Sequence, residues 1–225
     1  MAQWGLPAEL RLDNGWPWGG GFDLPTVFAL WLIGLGLGVH FNPACQPQDN
    51  GVIERTNGLG QRWAEVRQCR SVAEVQAKLE EVDELQRAYM PSVAGQSRLA
   101  AYPGLRHSGR SYSREWEEAR WSLAAVESML EGVVAKRKVG ATGQITLYYR
   151  RVYVGREQAG GEVRVQYDKG SQMWVVSGLD GKGLRAVPAV EVDREKIMTL
   201  TMYEEAKAGK RRRDARRRAG PAVPP

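Results

Sequence analysis

The chain has 225 residues, a formal charge of +6, a pI near 9.4 and a hydrophobic fraction of 43%. That length holds one large domain or two small ones, and that composition supports a packed core. Cys45 and Cys69 have no C-x-x-C spacing, which argues against a disulfide framework or zinc finger and fits a reduced, cytosolic setting. The first residues, MAQWGLPAELRLD, lack the cationic start and apolar run of a signal peptide. The apolar stretch 25–39 is too short to span a bilayer comfortably and is broken by Gly34, Gly36 and Gly38, so a buried helix running into a turn is expected there.

In chain order, Leu10-Arg11-Leu12 alternates and runs into Asp13-Asn14-Gly15, which predicts a short buried strand entering a turn. Residues 26–35 predict a buried helix starting after Pro25, and 39–41 a second short strand. Pro43 and Pro47 make 42–50 a loop, and a helix follows from Gly51 to about Val66. This order of strand, helix, strand, loop and helix predicts an α/β class. Ser71-Val72-Ala73-Glu74 is a capping-box pattern, opening a helix with Val72, Val75, Leu79, Val82 and Tyr89 on its apolar face. Residues 90–111 read as a linker. A second amphipathic helix is expected with Trp116, Ala119, Leu123, Val126 and Leu130 on one side.

After Gly140 the pattern changes to five short strands: 145–149, 152–154, 163–167, 173–176 and 184–187. The turns Gly160-Gly161, Lys169-Gly170 and Asp180-Gly181 separate some of them, and a small barrel is expected. Residues 207–218 hold eight cations and one acid, Asp214, a local charge of +7 that leaves −1 for the rest of the chain. The basicity is therefore a tail, expected to be disordered, and it points to a polyanionic partner. Within the strand region, Arg150, Arg151 and Arg156 lie among Tyr148, Tyr149 and Tyr153, a mixture that suits either a solvated strand face or nucleic-acid binding. His40 and His107, the two histidines, have no converging partners in sequence and are expected to be structural, and Gly34-x-Gly36-x-Gly38 ends a helix where a dinucleotide fingerprint would open one.

Asp13 alone reads as part of a turn and Glu54 alone as a helix-start charge. Together, from a strand end and a helix start, they suit a divalent-metal phosphoryl-transfer site. Asn57, Gly58 and Gln61 continue the Glu54 face as a small polar surface, with Ile53 and Trp63 on the other face. Gly5-Leu6-Pro7, Leu10-Arg11-Leu12-Asp13-Asn14-Gly15, Phe41-Asn42-Pro43 and Pro47-Gln48-Asp49-Asn50-Gly51-Val52-Ile53-Glu54-Arg55 resemble the integrase core of bacterial insertion-sequence DDE transposases. That core is similar to retroviral integrase. The resemblance covers about residues 4–89. The stretch from Tyr102-Pro103-Gly104 to Arg110 also looks familial, and the segment from Gly143-Gln144-Ile145 through Tyr153-Val154-Gly155-Arg156 resembles the small DNA-binding barrel that follows such cores.

The resemblance implies a ribonuclease-H-like core in which Asp13 and Glu54 are the second and third metal ligands for Mg²⁺ or Mn²⁺. The family core opens with strands and a helix ahead of the D-N-G strand, and the first strand carries the first catalytic aspartate. Twelve residues precede Asp13, and Glu9 among them is too close to Asp13 to replace that aspartate. Gln61 stands where many relatives carry a basic residue, with Arg62 beside it.

The expectation is therefore an α/β chain in four parts: 1–90 as the C-terminal part of an integrase-like core, 91–139 as linker and helix, 140–206 as a small Src-homology-like barrel, and 207–225 as a basic tail. The expected function is DNA integration or transposition by metal-dependent strand transfer, inactive alone. The alternative is a non-catalytic DNA-binding remnant or a host-adopted DNA-binding module. Catalytic and metal roles fall on Asp13 and Glu54. DNA contacts fall on Arg55, Arg62, Arg150, Arg151, Arg156, Lys210, Arg211, Arg212, Arg213, Arg216, Arg217 and Arg218. The expected partners are DNA and either a homo-oligomer or a separate N-terminal polypeptide. The expected location is the bacterial cytoplasm, at the nucleoid.

Overall fold

The structure, a computed structural model, describes residues 4–15, 18, 23–43, 51–104 and 107–200. It is mixed α/β, as the order of elements predicts. Contacts divide the chain into two compact units, Met1–Pro7 with Asn42–Tyr112, and Ala8–Phe41 with Ser113–Pro225.

The second unit opens with strand β1 (Glu9–Leu12), helix α1 (Val27–Gly34) and strand β2 (Gly38–Phe41). β1 and β2 pair in parallel, from Glu9 opposite Gly38 to Leu12 opposite Phe41. Parallel strands need a crossover between them, and α1 is that crossover. The Thr26 hydroxyl caps α1 by accepting from the Ala29 N–H at 3.2 Å. Val27, Ala29, Leu30, Leu32 and Gly34 are all buried, so α1 is enclosed on several sides, as its apolar run predicts. The expectation of a buried β1 is corrected. Glu9 and Arg11 are exposed and Leu10 and Leu12 only half-buried, because this sheet has two strands.

What encloses α1 comes from far along the chain. The single helix expected through Trp116 to Leu130 is two helices, α5 (Arg114–Arg120) and α6 (Leu123–Glu131). Ser122 breaks it. Its hydroxyl caps α6 by accepting from the Ala125 N–H at 3.2 Å, while Trp121 turns to an extended backbone. Ser and Asp side chains at such positions offer the backbone a start signal that competes with helix continuation. Ala119 is consequently exposed, and Glu117 and Trp121 are buried. A short helix α7 (Arg194–Met198), capped by Asp193, had no counterpart in the sequence reading. It packs on α1, as α6 does.

Strands β5 (Val134–Lys138), β8 (Glu162–Asp168), β9 (Met173–Gly178) and β10 (Gly183–Pro188) form an antiparallel sheet in the order β10-β9-β8-β5. β6 (Gln144–Leu147) and β7 (Arg150–Tyr153) form a separate hairpin. β5 lies before the point where strands were expected to begin; its Lys and Arg residues masked a simple alternation. Strict alternation holds on β8, where Val163, Val165 and Tyr167 are buried between exposed neighbours. With Ala135, Ile145, Leu147, Val152, Trp174 and Val176 they make the core of this region. Among the described residues no sheet closes on itself.

The first unit contains α2 (Gly51–Trp63), α3 (Val72–Ala88), the hairpin β3 (Pro91–Val93) and β4 (Gln96–Ser97), and the short helix α4 (Arg98–Ala101). α2 stops before Val66, where Glu65 enters a left-handed conformation and a 3-10 turn follows. The capping signal on α3 holds: Ser71 Oγ accepts from the Glu74 N–H at 3.2 Å, and Glu74 Oε2 accepts from Arg70 N at 2.8 Å. Its expected apolar face holds in the middle, where Val82 is buried and Val75 and Leu79 are half-buried, and fails at the ends. Val82 and Gln86 are buried, but Val72 and Tyr89 at the ends are 86% and 75% exposed. Part of the expected linker is the β3–β4 hairpin and α4.

Two stretches that looked familial in sequence meet in this unit. Leu6 N–H donates to Arg110 O at 2.7 Å, Ser108 N–H to Trp4 O at 3.0 Å, and Arg110 Nη1 to Pro7 O at 2.9 Å. Gly5 sits between them with φ of 75°, and a β-carbon there would lie 2.3 Å from Ser108 Oγ. Leu105 and Arg106 of the same stretch lie outside the described residues.

Candidate functional site

Asp13 directly follows β1, at the end where Leu12 pairs with Phe41, and it is exposed. Parallel pairing brings the C-terminal ends of both strands to one edge, so Asp13 stands beside the point where the chain leaves β2. A β-carbon at Gly15 would come within 2.7 Å of Asp13 Oδ2, the movable end of an exposed side chain, so the carboxylate lies close over this turn.

Glu54 belongs to the other unit, in the first turn of α2, where a negative charge complements the helix dipole. Glu54, Asn57, Gly58 and Gln61 recur at helical spacing and are all exposed, and nothing lies within 4 Å of a β-carbon built on Gly58. The open polar face expected there is present. Arg55 and Arg62, seven residues apart, share a neighbouring face and are exposed. Ile53 and Trp63 are exposed as well. The helix instead buries Gly60, where a β-carbon would lie 3.6 Å from Leu79 of α3, and Ala64 just past its end is buried too.

Asp13 and Glu54 carry no ion pair among the described residues. Carboxylate oxygens free of cations are the donors that Mg²⁺ and Mn²⁺ prefer, so the chemistry of each residue fits the expected metal. Among the described residues no group of three or more His, Cys, Asp and Glu side chains converges. His40 lies 3.6 Å from Glu9 on an exposed surface, and His107 Nδ1 accepts from Gly109 N at 3.1 Å, both consistent with structural roles. Cys69 is a free thiol; Cys45 lies outside the described residues.

The expected basic patch of the strand region separates into two kinds of arginine. Arg151 and Arg156 are exposed, with Tyr149 and Tyr153 exposed beside them in sequence, and Tyr153 Oη accepts from Arg156 N at 3.2 Å. Arg150 has partners within the chain. Its guanidinium bonds both oxygens of buried Glu191 and the Pro188 carbonyl, so it ties the β6–β7 hairpin to the end of β10. Trp174 Nε1 donates to Glu191 Oε2 at 3.1 Å, which completes the acceptor's environment. Tyr148, at φ of 49°, packs 6.0 Å from the Trp174 ring. Burial, and then the Glu191 charge, push its hydroxyl well above the ordinary tyrosine range. Glu191 lies far from the arginines in sequence, and no spacing rule connects them. The tail cations Lys210, Arg211, Arg212, Arg213, Arg216, Arg217 and Arg218 lie outside the described residues.

No protein-family model matches the chain. Among the described residues no helix is long and apolar enough to cross a membrane.

Proposed function

We propose that this chain is a DNA-binding protein of the DDE transposase and integrase type, in which Asp13 and Glu54 serve a metal-dependent phosphoryl-transfer site. One observation carries the reading. The D-N-G turn follows β1 of a parallel β-α-β unit, at the edge where both strands end, an arrangement that supports the reading. The exposed polar face running from Glu54 to Gln61 supports it, since a nucleic-acid backbone needs a surface free of large side chains. In this reading β1, α1, β2 and α2 correspond to the C-terminal part of a ribonuclease-H-like core. The β5–β10 region corresponds to a small barrel-like DNA-binding module, its hairpin bridged to β10 by Arg150.

Bound Mg²⁺ or Mn²⁺ supplies activation of a water or 3′-hydroxyl and stabilisation of the in-line transition state. The chain's own part is to hold that ion through two carboxylates from different elements. Arg55, Arg62, Arg151, Arg156 and the tail contribute phosphate contacts.

The test uses the full chain with a labelled duplex and with Mn²⁺. Binding to the duplex is expected to weaken steeply with salt. Mn²⁺ binding, followed by electron paramagnetic resonance with DNA present, is expected to fall at least several-fold in both Asp13→Asn and Glu54→Gln, while duplex affinity stays within about twofold, because the arginines and tail carry it. No duplex binding at any salt sinks the DNA reading. Mn²⁺ binding that survives both substitutions sinks the ligand assignment. Duplex binding without Mn²⁺ binding favours the non-catalytic DNA-binding module.

A further inference from the structure

The four-stranded sheet carries a second set of cations, on strands other than those of Arg151 and Arg156. On β5, Ala135 is buried while Lys136 and Lys138 are exposed. On β8, Glu162, Arg164 and Gln166 are exposed between the buried valines. The antiparallel register sets Lys136 directly opposite Arg164 and Lys138 opposite Glu162. Arg164 in turn stands opposite Ser177 on β9, and Ser177 opposite Gly183 on β10. One row across the sheet therefore reads Lys136, Arg164, Ser177, Gly183: two cations, a hydroxyl, and a position with no side chain.

Like charges directly opposite each other destabilise a sheet. Neither Lys136 nor Arg164 has an ion pair among the described residues that would relieve the repulsion. Glu162 is opposite Lys138, not between the pair. Asp23 accepts from the Lys136 backbone N–H at 2.8 Å at the strand edge. Asp168, at the far end of β8, is held by Ser171. Adjacent strands lie about 4.8 Å apart, so the two cationic side chains can converge on one anionic group or on two consecutive ones. Gly183 leaves the end of the row open to a bulky ligand.

We propose that this row is a phosphate-contact surface for nucleic acid, an additional footprint for the DNA of the reading above, on which it rests. A phosphate between Lys136 and Arg164 turns their repulsion into shared attraction. An extended polyanion carries a run of phosphates that can meet several cations in turn, which a compact acidic ligand cannot.

The experiment compares the full chain with the double variant Lys136→Gln, Arg164→Gln and with Glu162→Gln. Anisotropy of a labelled random-sequence duplex is read across a salt series. The double variant is expected to bind about tenfold more weakly near 0.1 M salt, with a log–log salt slope shallower by about one for a shared phosphate and about two for two consecutive ones, because each lost phosphate contact removes about 0.9. Its thermal midpoint is expected to equal or exceed that of the parent, since a like-charge pair is removed; this separates lost contacts from misfolding. Glu162→Gln is expected to bind about twofold more tightly, as removal of one repelling charge beside the row implies. An unchanged slope in the double variant, with the parent binding DNA, overturns this surface and leaves the DNA reading standing. A parent chain that binds no DNA overturns both. Equal loss of affinity for an acidic protein and for DNA, with no change in slope, overturns the assignment to phosphates.

Discussion

Gly34 shows how one residue sets a packing distance. It is the last residue of α1, and Trp121 packs against it: a β-carbon at Gly34 would be 2.1 Å from the indole ring. The same indole donates to Trp31 O at 3.0 Å, and Ser122 N–H donates to Gly34 O at 2.9 Å, so the ring cannot simply retreat. Trp31 is held in turn, donating from Nε1 to Glu117 Oε1 at 2.6 Å. Gly34→Ala is therefore expected to destabilise the second unit by about 2–3 kcal/mol, the scale of overpacking in a filled core, despite alanine's better helix propensity. Urea unfolding monitored by tryptophan fluorescence checks this; a variant as stable as the parent would mean that Trp121 has another place to go. In sequence Gly34 reads as a helix terminator, and its steric role needs Trp121, a residue far along the chain.

At the scale of elements, the sheet and the β6–β7 hairpin bury polar groups that titrate at high pH. Tyr167 projects inward from β8 and donates its hydroxyl to Glu127 Oε1 on α6 at 3.1 Å. Burial, and then the neighbouring Glu127 carboxylate, push its hydroxyl up to about 12. Tyr148 is displaced in the same direction. A tyrosine ordinarily titrates near ~10. Because the folded value is raised, the stabilisation is complete below about pH 10 and is lost as pH rises toward about 12. The urea midpoint is thus expected to hold steady from about pH 7 to about pH 9 and to fall between about pH 10 and 12. Tyr167→Phe should make that fall shallower, at the cost of the Glu127 hydrogen bond at neutral pH. An identical alkaline profile in the variant would remove Tyr167 as a cause. The glutamate that binds Arg150 works in the same region: Glu191 is nearly sealed from solvent and takes donors from both the hairpin and the sheet. Such a buried pair holds elements in register more than it adds net stability.

At the scale of the whole molecule, charge is segregated. Residues 207–218 carry +7 against −1 for the remainder, so the tail dominates long-range attraction to a polyanion. Deleting residues 207–225 is expected to lower duplex affinity by at least about tenfold at physiological salt and to flatten the salt slope. Residual binding should remain, through Arg151, Arg156 and the proposed sheet row. Anisotropy on the truncated chain decides this, and undiminished affinity would reassign the tail to solubility. The deletion and the Lys136, Arg164 variant remove different phosphate contacts, so their effects on the slope are expected to add.

The sequence by itself determined what depends on neighbours along the chain. Thr26 and Ser71 cap helices where their hydroxyls precede helical periodicity, α1 is buried because its run is apolar on all sides, and strict alternation marks β8. Asp13 after a strand and Glu54 in a helix start were legible for the same reason: a turn triplet and a helix-start charge are local patterns. Tertiary structure decided what depends on partners distant in sequence. It set Trp121, at the break that Ser122 makes between α5 and α6, against Gly34 of α1. It drew Arg150 inward to Glu191, while neighbouring Arg151 stayed exposed, since successive strand residues point to opposite faces and only one face met a buried carboxylate. It placed Lys136 against Arg164, a juxtaposition that exists only once β5 and β8 pair, because strand register is set by the burial of Ala135, Val163 and Val165 and not by the charges between them.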